Sequence, residues 1–322
     1  MYIIDWYIEF NNNGERTQLG LLAECEVMSS VENLTDTATI VLPEAVMNDV
    51  LNLENKITRG TEVLIEMGYN ADWHQEFKGY VQDIVNSDNS LKIICEDALF
   101  LFRKNVPSIE LKPSTMKAVG QYVLDYIDTS FTLDCTYEIN YEKFTIHQAT
   151  GFDVLKKLQD ETKAQIYFDS EAKILHIHPP YIKKGGEVLY SMQKNIETSS
   201  LEFKNKLDFK VEVTVESTDI KGNVHQVISG TTGGDKVKIR VGAMDESSMR
   251  RIADAELLKR SASGYEGSFD AWLIPMVKPT YSAKIIDEDY PEKTDWYYVA
   301  SVTTNLSAAG VVRTVTPSIK LS

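Results

Sequence analysis

RGTEVLIEMGYNADWHQEFKGYVQDIVNSDNSLKIICEDAL, residues 59–99, reads as three strands joined by two polar turns. Side chains alternate between the faces of a strand, so Val63 and Ile65 share one face of the first strand and Leu64 takes the other. In the second, Phe77, Gly79 and Val81 share a face and Tyr80 and Gln82 oppose them; the turn SDNS then leads into Leu91, Ile93 and Cys95. A glycine inside a strand, as Gly79 is, marks a bulge or a close backbone approach. The stretch carries almost nothing that could do covalent chemistry, so the sheet itself is the first candidate for the working part.

Upstream, residues 2–10 and 16–28 form a hairpin about NNNG. Ala38, Ile40 and Leu42 then alternate with Thr39 and Val41 until Pro43 ends the strand, and residues 44–56 make at best a short helix that plugs one end of a barrel. Five or six strands in the first hundred residues predict a small β-barrel.

Downstream the period changes. In 114–128, Met116, Val119, Val123, Leu124 and Ile127 recur at helical spacing behind an N-cap at Ser114 and Thr115. Over 145–163, Phe152, Val154, Leu155, Leu158 and Thr162 line a second helix capped by Thr150, which runs into the hairpin AQIYFDSEAKILHIHPP. From Leu201 the chain is extended again: Phe209, Val211, Val213 and Val215 alternate, and DESSMRRIADAELLKRSA, capped by Asp245 or Ser247, gives one more helix with Lys259 and Arg260 near its end. The closing stretch 281–318 repeats the plan of 61–97, with Tyr80–Val81 answered by Tyr298–Val299 and SDNS by SAAG. The expected fold class is mainly β with an α+β insert: two related small β-barrels, over 1–105 and 186–322, with an α+β module over 106–185 between them.

Composition narrows the function. A net charge of −15 over 322 residues opposes tight nucleic-acid binding, which depends on Lys and Arg neutralising phosphates. No run reaches the ~18 apolar residues of a membrane span, and MYIIDWYIEF carries an acid where a signal peptide is basic, so synthesis in the cytoplasm without stable membrane anchoring is expected. Cys25, Cys95 and Cys135 are odd in number and far apart, and read as reduced thiols.

Each candidate for chemistry has a plainer reading. His176 and His178 lie two apart on a strand and share a face, but no third metal ligand is identifiable, so an exposed polar pair is expected. GTTGGDK (230–236) lacks phosphate-loop spacing and lies between strands, which favours a hairpin turn, and DEDYPEKTD (287–295) lacks a calcium-loop pattern. With no GxSxG and no HExxH, and with 48 Asp and Glu residues making chance carboxylate pairs inevitable, no enzyme, cofactor or metal is expected. The alternatives are a carbohydrate- or receptor-binding module, for which Trp73, Trp272 and Trp296 are the residues to inspect, and a peptidoglycan hydrolase.

The opening stretch, followed by TGFDVLKKLQDETKAQIYFDSEAKILHIHPP and closed by WLIPMVKPTYSAKII and DWYYVASVTTNLSAAGVVRTVTPSI, resembles the contractile-phage baseplate hub family, which includes phage late control protein D, the Mu-type tail hub and the N-terminal part of the type VI secretion spike. Thr304 stands near where that family often has a histidine. The resemblance implies a homotrimer of paired barrels, a pseudo-sixfold ring adapting the sixfold tail tube to a threefold spike. Its implied partners are further copies, the tail tube protein, the central spike and baseplate wedge proteins, with DNA only as passing cargo; its place is the virion, in a phage, a prophage or a tail-like secretion device. On this reading the strand edges carrying Val63, Ile65, Tyr80, Val81, Ile285, Tyr298 and Val299 are expected to meet neighbouring units.

Overall fold

The computed structural model describes residues 2–43, 56–87, 90–182, 185–205 and 210–321. The short helix expected over 44–56 falls almost wholly outside them. The chain is mainly β and forms two compact units, each discontinuous in sequence: 1–100 with 184–201 and 267–317, and 101–183 with 202–266 and 318–322. This differs from three consecutive segments. The second β-rich part is interrupted, and its middle joins the α+β unit.

The first unit is built on one sheet of thirteen strands: β1 (Ile4–Asn12), β2 (Glu15–Gln18), β3 (Glu24–Ser30), β4 (Thr37–Pro43), β5 (Glu62–Tyr69), β6 (Asp72–Ser87), β7 (Ser90–Glu96), β8 (Glu187–Ser191), β9 (Ile196–Ser199), β10 (Phe269–Ala271), β11 (Ser282–Ile286), β12 (Asp295–Ser307) and β13 (Gly310–Lys320). Its order contains a repeat. The first half runs β1-β5-β6-β7-β4-β3 and the second β8-β11-β12-β13-β10-β9, the same permutation of six strands once β2 is set aside. The halves differ at their outer pair, antiparallel for β1–β5 and parallel for β8–β11. Backbone bonds repeat too. Val81 accepts from Gly60 N–H at 2.8 Å and donates to the Thr61 carbonyl at 2.9 Å, and Val299 does the same with Thr280 and Tyr281 at 3.0 and 2.9 Å. β3 joins the halves by pairing antiparallel with Ser301–Ser307 of β12.

The alternation read in 59–99 holds. Val63, Ile65, Phe77, Val81, Leu91, Ile93 and Cys95 lie in one core with Ile8, Phe10, Val27 and Ile40, and with Leu306 and Val311 from the second half. Burial pushes the Cys25 thiol up to about 12 and raises that of Cys95 as well, which keeps both protonated. Gly79 is a close-approach position: a Cβ there would lie 2.1 Å from the Glu96 carbonyl oxygen. The bulges fall beside it, at Glu76 and Gln82, each skipped in the ladder.

The Glu76 bulge has an electrostatic consequence. Its carboxylate pairs with Arg313 of β13, the largest fully buried side chain among the described residues. The guanidinium also donates to the Leu273 carbonyl at 2.6 Å and to Thr304 Oγ1 at 3.3 Å, while Thr304 donates to the second Glu76 oxygen at 3.1 Å. A buried ion pair repays desolvation only when its hydrogen bonds are satisfied, and this one has them from three strands and a loop.

Two carboxyls sit at the start of β4 and the end of β7. Asp97 accepts from the N–H groups of Leu99 at 2.9 Å and Asp36 at 3.3 Å, and Asp36 accepts from Ser30 N–H at 2.9 Å. Burial raises Asp36 to about 6, against the pull of the Ser30 bond, and burial together with the Asp36 charge holds Asp97 well above the usual carboxylate range.

In the second unit, α1 (Met116–Ile127) starts at an N-cap on Thr115, whose side chain accepts from Ala118 N–H, and α2 (Gly151–Thr162) starts at a full capping box between Thr150 and Asp153. α3 (Glu246–Ser261) is capped by Asp245 and packs on strands Val211–Thr218 and Val224–Gly230. Strands Thr132–Cys135, Ile174–His178 and Gln165–Asp169 make a separate sheet in that order, with Phe102, Phe131 and Phe168 packed edge to face or tilted nearby.

Two outcomes are expected. Arg313→Ala leaves Glu76 buried without its partner and lowers unfolding free energy by about 3–5 kcal/mol, whereas Arg313→Met with Glu76→Leu recovers most of it; urea unfolding of the three proteins checks this, and equal losses in single and double variants contradict it. A carboxyl whose folded pKa is raised stabilises fully below its unfolded pKa and loses that contribution as pH rises through the folded value. Relative to Asp36→Asn, which keeps an acceptor for Ser30 and drops the charge, the natural chain therefore loses stability from pH 4.5 to 7.5; a difference constant with pH contradicts the assignment.

Candidate functional site

Of the residues expected to meet a neighbour, Val63, Ile65, Val81, Ile285, Tyr298 and Val299 are buried within their own unit, and none presents a side chain to solvent. Val63, Ile65 and Val81 lie in the core that alternation marks, whereas β12 is covered on both faces from Tyr297 to Ala300. Tyr80 is half-buried and stacks on Phe100 at 5.7 Å. Asp substituted at Tyr298 reports on folding, not on assembly.

What the strands do leave open is backbone edge. β6 pairs with β5 over Asp72–Tyr80 and with β7 over Tyr80–Ser87, so among the described residues no strand pairs with Gln82–Val85 on the side away from β7. The corresponding stretch of β12 is where β3 pairs. β9, which holds the place of β3 in the second half, pairs with β10 and ends the sheet order. Its Glu197, Thr198 and Ser199 are exposed, as is Val85 on β6.

The tryptophans are each engaged locally. Trp73 stacks on Tyr7 at 5.7 Å, Trp272 donates to Glu197, and Lys284 lies 5.9 Å over Trp296. GTTGGDK is not a hairpin turn, because the strands on either side of it, Val224–Gly230 and Asp235–Val241, flank Val211–Thr218 on opposite edges. Gly233 N–H in that loop donates to Glu212 at 2.7 Å, so a carboxylate already occupies the amide. In DEDYPEKTD, Asp287 Oδ1 accepts from the N–H groups of Asp289 and Tyr290, both at 3.1 Å, which closes the loop on itself.

The histidine pair is not an exposed one. His178 is 1 % exposed and His176 is partly covered. Strand Thr132–Cys135 runs parallel to Ile174–His178 with Asp134 opposite His176, and this brings a third donor onto the same face. Asp134 Oδ2 lies 3.0 Å from His176 Nδ1 and 3.1 Å from His178 Nε2, and the two nitrogens are 3.2 Å apart. His178 Nδ1 is 2.6 Å from Thr136 Oγ1, and the Tyr167 ring stacks on His176 at 4.8 Å. The sequence hides Asp134 because it stands 42 residues before His176, across a parallel pairing that no local pattern signals.

No known protein-family model matches the chain, and no curated protein does. Solved structures do. A tail protein from Neisseria meningitidis MC58 superposes with a TM-score of 0.69 over 98% of this chain and 97% of its own at 12% identity. The 43 kDa tail protein of prophage MuSo2 from Shewanella oneidensis gives 0.65 over 97% and 98% at 13% identity. An Escherichia coli component of the type VI secretion system, described as structurally similar to bacteriophage tail proteins, gives 0.62 over 98% and 77% at 10% identity. From end to end, the chain has the β-rich fold of these phage tail and secretion-system proteins.

Proposed function

We propose that the chain is a structural hub of a phage tail baseplate or of a tail-like injection device, working by assembly and not by catalysis. The observation that carries this is the repeat in the first unit. Two six-strand sets of the same order are joined by β3 on β12, and among the described residues no strand fills the counterpart of that joint, β9 on β6. If β9 of one copy takes the edge of β6 in the next, each copy adds two similar barrels, and three copies close a ring of six. A threefold object then shows a quasi-sixfold face, which suits a sixfold tail tube on one side and a threefold spike on the other. The fold shared with tail proteins supports that setting.

In this reading the partners are two further copies, the tail tube protein, the central spike and baseplate wedge proteins. DNA is cargo in transit, and a net charge of −15 per copy disfavours capture of phosphate on the channel wall.

Light scattering over a range of concentration and salt is expected to give a mass near three times 36.4 kDa. Val85→Lys with Thr198→Lys sets like charges on the two facing edges and is expected to return the mass to that of one chain while leaving it folded by far-UV circular dichroism, since both positions are exposed. A natural chain that stays monomeric throughout refutes the self-closing ring.

A further inference from the structure

We propose that Asp134, His176 and His178 bind one divalent first-row transition-metal ion of the zinc class, which ties strand Thr132–Cys135 to Ile174–His178. This stands apart from the hub reading and does not depend on it.

The three donor atoms form a nearly equilateral triangle with sides of 3.0, 3.1 and 3.2 Å. Such a triangle has a circumradius of about 1.8 Å, so an ion at the usual ~2.0–2.1 Å from nitrogen and oxygen sits about 1 Å above its plane. That is the placement of a tetrahedral or facial site with at least one position left for water. Without a cation the three atoms are joined by hydrogen bonds whose donors depend on the tautomers, and a single carboxylate oxygen is shared by both rings. With one, the same atoms present two lone pairs and a negative oxygen to a common point.

The surroundings fit ligation. When His178 Nε2 faces a cation, its Nδ1 carries the proton and donates to Thr136 Oγ1 at 2.6 Å, which fixes tautomer and ring orientation. Tyr167 stacks on His176 with 23° between the rings and restricts its rotation. The His176 and Asp134 side chains keep 15% and 37% exposure, so the open side of the triangle faces solvent and gives an ion an entry path. Two imidazoles with one carboxylate favour zinc, cobalt, nickel or iron over magnesium and calcium, which take oxygen ligands.

The test uses the full tag-free chain after dialysis against chelator. Zinc is titrated calorimetrically, and cobalt is titrated while its visible d–d absorption is followed. One equivalent of each is expected to bind, with no response to magnesium. Asp134→Asn and His176→Gln, both at partly exposed positions, are each expected to weaken binding about 100-fold or more, and Thr136→Val, which reaches the ion only through its bond to His178, about 10- to 100-fold. Absence of zinc and cobalt binding by the natural chain, or equal binding by the variants, overturns the proposal and leaves the triad as a hydrogen-bonded network.

Discussion

The first unit depends on the joint between its two halves. β3 pairs with β12 by backbone bonds, and the side chains fasten the same region from within: Arg313 on β13, Thr304 on β12 and Glu76 on β6 share one buried polar network. The arrangement needs the Glu76 bulge. A regular strand turns every second side chain inward, so a chain that buries Phe77 sends its neighbour out unless an extra residue is admitted to the ladder. The bulge lets an acid and an aromatic ring that are adjacent in sequence both reach protein interior. The network is specific as well as costly, because a guanidinium with its donors spread over a carboxylate, a hydroxyl and a carbonyl tolerates only one register of the strands that hold them.

That joint also bears on assembly. Strand pairing inside the chain and strand pairing between chains draw on the same backbone groups, and among the described residues the joint of β3 on β12 has no counterpart between β9 and β6. β9 is short and polar, with three exposed residues, and the β6 edge carries Asp83 and Val85 in exposed positions. Short, polar edges resist indiscriminate sheet extension, so a partner has to match them in register and charge.

Local features were legible in the sequence because they rest on neighbouring residues. Thr115, Thr150 and Asp245 cap the helices that follow them, and the alternation through Val63, Ile65 and Phe77 marks true strands. The repeat of 61–97 in 281–318 was legible for the same reason, as hairpin set against hairpin. Alternation identifies a buried face without saying what buries it, and that is why Val81 and Val299, read as edge positions, turn out to be core. Features that span many residues were not legible. The return of 184–201 and 267–317 to the first unit, the parallel pairing that sets Asp134 beside His176, and the Arg313–Glu76 pair across 237 residues all depend on topology that no short-range pattern encodes.

The acidity of the chain has a structural origin that composition alone conceals. A protein with this many strands has many turns, and each turn leaves backbone N–H groups in need of acceptors. Asp97, Asp219 and Asp287 accept from such N–H groups and Glu212 does so from the loop at Gly233, while Asp153 and Asp245 accept at the starts of α2 and α3. Asp219, whose carboxylate takes bonds from Asn223, Lys221 and His225, is held well below the usual range by them. Carboxylates used in this way are fixed where the turns are. Glu24 and Glu26, which flank buried Cys25 on β3, are instead exposed on the face of the strand that joins the two halves.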